Sequence, residues 1–142
     1  MLRIMLLSLV LLVSACGKSP DSMVGSGDAS REKLEQRAEE RWRARIAHDW
    51  GKAWEYESPA FREVFPKQLY VKKFSYTANW ELTGLEVIEY DPEAAVASVV
   101  VRVMSRPTKQ TSAAARAIGA MQRELHEKWI LVDGEWWFSA GQ

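Results

Sequence analysis

The feature that most constrains this chain is its last apolar segment, Trp129-Ile130-Leu131-Val132-Asp133-Gly134-Glu135-Trp136-Trp137-Phe138. Two apolar runs flank Asp-Gly and nothing else. Both central residues of a type I′ turn need positive φ, and Asp-Gly supplies them, so the segment predicts a two-residue β-hairpin. The turn sets the register. Leu131 falls opposite Trp136 and Trp129 opposite Phe138, all four on one face. Ile130, Val132 and Trp137 share the other face. With both faces apolar, the hairpin is expected to be covered on both sides or to leave one side as an interface.

Upstream, the apolar period is 2 from Trp80 onward. Trp80 and Leu82 share one phase, Leu85 and Val87 the other. Gly84 sits at the phase change, which predicts a β-bulge. Asp91-Pro92-Glu93 reads as a turn. Val96 to Met104 is β-branched and predicts a central strand. Residues 105–118 read as a loop with one helical turn, with a helix from Ser112 to about Leu125 as the alternative.

Before residue 80 the period is helical. Leu34, Ala38, Trp42, Ile46 and Trp50 recur every fourth residue, with Ala44 and Ala47 beside them, and Ser30 is a good N-cap. A helix over about 30–48 follows. Lys33, Arg37, Glu40 and Arg41 are assigned to its solvated face, because acids interleave with bases. Asp49 predicts the cap of a short helix from Trp50 to Glu57. Ser58-Pro59 predicts another helix start, with Pro at the first position. Pro66 leads into a further helix from Lys67 to Phe74. Arg62 is expected to pair with Glu55 or Glu57. Several short helices followed by a curved antiparallel sheet make an α+β domain, and 142 residues allow one such domain with a tail.

The N-terminus, MLRIMLLSLVLLVSAC, has the layout of a secretory signal: Arg3, an apolar run from Ile4 to Val13, then small residues. It is too short for a bilayer span. Val13-Ser14-Ala15-Cys16 resembles the lipobox of bacterial lipoproteins. That resemblance implies removal of residues 1–15 and acylation (palmitate or similar chains) of Cys16, the sole cysteine. Two or three chains would hold the protein on a membrane. Gly17 stands where an Asp would resemble an inner-membrane retention signal. The resemblance therefore favours the outer membrane of the cell envelope, with the domain facing the periplasm. Residues 16–29 are rich in Gly, Ser, Asp and Pro and read as a flexible tether, the thirteen after Cys16 with a reach of roughly 20 Å. With 19 Lys+Arg against 19 Asp+Glu the charge balances, and the loss of Arg3 leaves the mature form slightly acidic. That balance argues against nucleic acid as a partner. It also predicts that only the lipid draws the domain to a membrane.

The stretch Arg41-Trp42 … Asp49-Trp50-Gly51-Lys52-Ala53-Trp54 … Ser58-Pro59-Ala60-Phe61-Arg62 resembles the helical half of NTF2-like (SnoaL-like) domains. Glu127-Lys128-Trp129 … Asp133-Gly134-Glu135-Trp136-Trp137-Phe138 resembles their last hairpin. The resemblance covers roughly residues 31–140, within a domain of residues 30–142. It implies a cystatin-like cone: helices on the concave face of a curved sheet with a cavity between. The segment from Arg106 to Met121 is longer than the compact family pattern needs, and is expected to cover the cone mouth or form a partner surface.

Signals for chemistry are few. His48 and His126 are far apart and form no metal-ligand pattern, so no metal is expected. There is no G-x-S-x-G, G-x-G-x-x-G or P-loop, and no cofactor is expected. Enzymes of the resembled superfamily use a carboxylate or His inside the cone, which would make Asp49, Glu81 or Glu86 the candidate base, with His48 and Tyr56 as partners. Asp49 has a competing role as an N-cap, and Glu81 is expected on the face opposite Trp80. His48 is expected at the carbonyl end of the first helix. Seven tryptophans are the other feature. They predict a Trp-rich core, or a cone lined by Trp42, Trp54, Trp80, Trp129 and Phe138 that takes an apolar ligand. Trp137, on the opposite hairpin face, is the candidate for a protein or homodimer contact. The leading expectation is a lipid-anchored, non-catalytic binding or scaffold domain serving an envelope protein, a second copy or a small apolar ligand. The alternative is a small cofactor-free enzyme with a carboxylate in the cone.

Overall fold

A computed structural model describes residues 29–73, 78–108 and 113–140. Cys16, the signal segment and all of the tether but Ala29 lie outside the described residues. The domain is α+β, with helices followed by a four-stranded antiparallel sheet. The elements are α1 (Arg31–Ile46), α2 (Trp50–Trp54), α3 (Pro59–Val64), α4 (Lys67–Lys73), β1 (Ala78–Asp91), β2 (Val96–Pro107), α5 (Ala113–Ile118), β3 (Met121–Val132) and β4 (Glu135–Ser139). The strands pair in chain order, β1-β2-β3-β4.

Local chemistry explains the helix starts. Ser30 accepts from the Lys33 amide, Asp49 from the Lys52 amide and Ser58 from the Phe61 amide. Each such cap contributes about 1 kcal/mol. Helix α2 stops at Trp54 rather than reaching Glu57. Its continuation is taken over by sheet-like pairing: the Phe138 amide donates to the Tyr56 carbonyl, and the Ser58 amide to the Phe138 carbonyl. Glu57 thereby forms a parallel bridge to β4.

The hairpin has the expected register, with Leu131 opposite Trp136 and Trp129 opposite Phe138. Asp133 and Gly134 take φ of 53° and 76°, as a type I′ turn requires. The register of β1 on β2 shifts between Leu82 and Gly84, and again between Val87 and Glu89. The first shift is the one Gly84 predicts; the second has no glycine to signal it. Each bulge restores the apolar phase, so Trp80, Leu82, Leu85, Val87 and Tyr90 all serve the core. Strand β2 runs on to Pro107, past Met104. The helix considered over Ser112–Leu125 does not form: α5 ends at Ile118 and β3 begins at Met121. Leu125 alternates with outward-facing neighbours opposite Val101, and a strand accommodates that pattern where a helix would not.

Helix α1 packs across the inner face of the sheet. Leu34, Ala38 and Trp42 are fully buried against Val99, Val101, Val103, Trp129 and Trp136. Full burial of each large apolar side chain contributes about 1.5–3 kcal/mol. A second cluster joins Ala44, Trp50, Ala53 and Tyr70, with Trp54, Phe61 and Phe65 against it. The solvated face assigned to α1 needs correction. Arg37 and Arg41 are buried, at 9% and 3% exposure. They lie at i+3 and i+7 from Leu34, on the second row of the core-facing stripe.

Candidate functional site

The arginines of α1 build the most unusual feature of the interior. Arg37, Arg41 and Arg45 follow each other at four-residue spacing and so project from one side of the helix toward β3 and β4. Arg37 donates to the Trp136 carbonyl and to the Glu135 carboxylate. Arg41 bridges two carboxylates, Glu127 at 2.7 Å and Glu57 at 3.4 Å. Arg45 lies 3.8 Å from Glu127.

Each carboxylate is placed by its backbone. Glu127 sits on β3 in phase with Trp129, opposite Val99, and therefore on the buried face. Its Oε1 also accepts from Trp42 Nε1 at 2.9 Å, and its Oε2 from Trp129 Nε1 at 3.3 Å. Glu57 is delivered by the bridge to Phe138 and is 1% exposed. Its Oε1 accepts from the Tyr70 hydroxyl at 2.8 Å. Among the described residues its Oε2 has no hydrogen-bond partner, nor has Arg41 Nε. Aromatic faces complete the enclosure. Arg41 stacks 3.5 Å from the Phe138 centroid, and Arg45 lies 4.2 Å and 4.5 Å from those of Trp42 and Trp80.

Burial governs the proton affinities here. It pushes the Glu57 carboxyl above its ordinary value, against the opposing pull of Arg41. Burial, together with the neighbouring Glu57, raises the Tyr70 phenol. Arg45 is pushed down to about 10 by burial and by the charge of Arg41. Burial therefore shifts Glu57 toward its neutral form, and among the described residues one of its carboxyl oxygens is without a partner. A carboxyl of that kind is the raw material of general acid–base chemistry.

The residues singled out from sequence are distributed otherwise. Trp42, Trp80, Trp129 and Phe138 do meet at the inner face, where they pack on one another and on the arginines. Trp54 belongs to the second cluster and donates to the Phe65 carbonyl. Asp49 and Tyr56 share the rim of a surface groove of about 450 Å³ with Glu40 and Lys52. Asp49 caps α2, and the Tyr56 hydroxyl donates to Glu40. His48 follows α1 in a left-handed conformation (φ 58°) with its ring stacked on Trp50. Glu81 and Glu86 lie on the outer sheet face, opposite Met104 and Val100; Glu86 pairs with Arg102. Trp137 is half-buried, with the Arg37 and Arg62 guanidiniums each 4.6 Å from its ring. Arg62 forms neither expected ion pair: Glu55 engages Lys52 and Lys67, and Glu57 engages Arg41.

Glu57 and Glu127 are absent from the sequence-based candidates. Glu127 carries a usable signal, being two residues before Trp129 in a strand whose buried face the hairpin register defines. Glu57 carries none, because it lies in a non-periodic connection. Among the described residues no three metal-ligating side chains come together, and no helix is long and apolar enough to cross a membrane.

Neither a protein-family model nor a curated protein matches this chain. A solved structure that resembles it is the solution structure of RPA3114, a SEC-C motif containing protein from Rhodopseudomonas palustris. The two share 18% identity with a TM-score of 0.49, over 82% of this chain and 80% of that one.

Proposed function

We propose that this chain is a lipid-anchored cell-envelope protein, held through Cys16, whose NTF2-like domain is a non-catalytic binding or scaffold module. The observation that carries the non-catalytic part is the filling of the inner face. Trp42, Trp129 and Trp136 are fully buried there, and Arg41, Glu57 and Glu127 are engaged with one another. The anchor and the periplasm-facing, outer-membrane location rest on the sequence Val13-Ser14-Ala15-Cys16 followed by Gly17. The helix-on-sheet arrangement is compatible with the cone of the resembled family. Its partner is an envelope protein, a second copy or a small apolar molecule. Membrane fractionation of the Cys16→Ser variant is the direct test. Release from the membrane fraction supports the anchor, and unchanged fractionation removes it.

One observation favours the enzymatic alternative, the raised Glu57 carboxyl with its unpartnered oxygen. In that reading Glu57, not Asp49, Glu81 or Glu86, is the general base, and Arg41 and Tyr70 position it. A panel of small proton-transfer and hydrolysis substrates compared between the parent and Glu57→Gln separates the readings. Turnover that disappears in Glu57→Gln, with the fold intact by circular dichroism, supports the enzyme.

A further inference from the structure

Charged side chains leave water only when something offsets their desolvation. Among the described residues Arg37, Arg41, Arg45 and Arg102 are buried or half-buried, and each has a carboxylate in ion-pair contact. Arg62 on α3 is also half-buried, and it has none among them. Arg106, Arg116 and Arg123 lack one too, but they are exposed and water serves them. The acids that could serve Arg62 are engaged elsewhere: Glu135 with Arg37, Glu57 with Arg41, and Glu55 with Lys52 and Lys67. Glu63 follows it directly on α3, and adjacent helix positions do not face each other. What Arg62 touches is aromatic. Its guanidinium lies 5.4 Å from the Trp54 ring centroid and 4.6 Å from that of Trp137. Arg37 lies 4.6 Å from the same Trp137 ring and 5.2 Å from that of Tyr56, so rings and guanidiniums alternate along one row. Arg62 Nε is buried without a hydrogen-bond partner among the described residues. Its two terminal nitrogens make no hydrogen bond among them either, and they are not enclosed.

We propose that Arg62 is the anchoring site for an acidic segment of a partner protein, whose Asp or Glu carboxylate takes the terminal nitrogens of the guanidinium. The planar fork of an arginine matches a carboxylate through two parallel hydrogen bonds. Trp54 and Trp137 hold that fork in place before the partner arrives, so less side-chain entropy is lost on binding. They also keep water from part of it, and the pair that forms is screened less than one in open solvent. The charge is complementary: the row holds two guanidiniums and one carboxylate, Glu135, which Arg37 already engages. A polypeptide is favoured over an enclosed small molecule by the make-up of the row. Tryptophan, tyrosine and arginine are the residues in which interface hot spots are enriched, and Arg62 and Trp137 are half-buried rather than sealed. The proposal rests on the binding-module reading and gives the partner of that module its chemistry, an acid rather than an apolar body.

The test follows the nitrogen-15 resonances of the Arg62 Nε–H and of the Trp54 and Trp137 indoles in the full chain, held in neutral detergent. The chain is titrated with blocked hexaglutamate, with hexaglutamine and with inorganic phosphate. The expected result is a saturable shift of all three resonances with hexaglutamate and none with hexaglutamine. Arg62→Gln, read at the two indoles, should weaken binding about tenfold or more. Arg62→Lys keeps the charge without the fork and should weaken it by less, which keeps the test alive if Arg62→Gln does not fold. Arg102→Ala should leave the titration unchanged. Silent resonances, an equal shift with hexaglutamine, or an affinity that survives both Arg62 variants overturns the proposal. Phosphate binding as tightly as hexaglutamate overturns it in favour of a phosphate-bearing guest, and a parent dimer that Arg62→Gln dissolves overturns it in favour of a second copy. The turnover comparison with Glu57→Gln reports the non-catalytic reading separately, so loss of one reading is not mistaken for loss of the other.

Discussion

An arginine bridges two glutamates on each face of the sheet. Inside, Arg41 joins Glu57 to Glu127; outside, Arg102 joins Glu86 to Glu124. The connectivity is the same and the solvent is not. Arg41 is 3% exposed, with Phe138 against its face, whereas the Arg102 side chain is 38% exposed and its partners about half. Water screens the outer triad and competes for every hydrogen bond in it. The inner triad has little water to compete with, and each charge depends on the others to offset its desolvation. The pair shows that an ion bridge is defined by what surrounds it more than by its distances.

The comparison breaks most visibly at Arg41. Arg41→Met leaves Glu57 buried without its cation and Glu127 with Arg45 alone, at 3.8 Å, and the expected loss is about 3–5 kcal/mol in urea unfolding. Adding Glu57→Gln and Glu127→Gln to Arg41→Met should recover most of it; a triple variant no better than the single would show that Arg41 acts by packing on Phe138 instead. Next is Glu127→Gln, which removes the charge facing Arg41 and Arg45 and weakens the acceptor for two indoles. A loss of about 2–3 kcal/mol is expected.

A smaller effect is carried by pH. Burial holds the Glu57 proton on the folded chain above the range where the unfolded chain releases it. The folded state therefore binds more protons in that window. The contribution of Glu57 to stability is fully present below the ordinary carboxyl range and is lost as pH rises through the folded value. Glu57→Gln, a mimic of the neutral acid, should remove this contribution to the pH dependence, read as a urea midpoint that falls less than the parent's as pH rises above the ordinary carboxyl range. The smallest effect belongs to Arg102→Ala. Its urea midpoint should match the parent, and a clear drop would mean that the outer triad is less solvated than its exposure indicates.

Much of the scaffold was legible because it rests on local chemistry. Asp133-Gly134 dictates its own turn, Ser30 and Ser58-Pro59 dictate helix starts, and Gly84 marks a shift of strand phase. The interior charges were harder for a physical reason. The stripe Leu34, Ala38, Trp42 is one row of a helix face two rows wide, and the second row is Arg37, Arg41, Arg45. Charged residues at core spacing look like a solvated face until the partners arrive. One of those partners, Glu57, comes from a connection with no period to read. The other, Glu127, was visible in phase with Trp129, but only the arginines opposite give its burial a purpose. The second bulge, between Val87 and Glu89, lacks a glycine and left no mark in the sequence.

The parallel bridge at Glu57 has a consequence for how copies of this protein can meet. By occupying Phe138 it stops the sheet from growing past β4. Growth is left to the other margin, the fourteen-residue β1. That margin is a poor template: it is broken by two register shifts, and the Arg31 guanidinium already occupies the Val87 carbonyl. Neighbouring copies that met along β1 would find no long, straight backbone ladder through which to zip together.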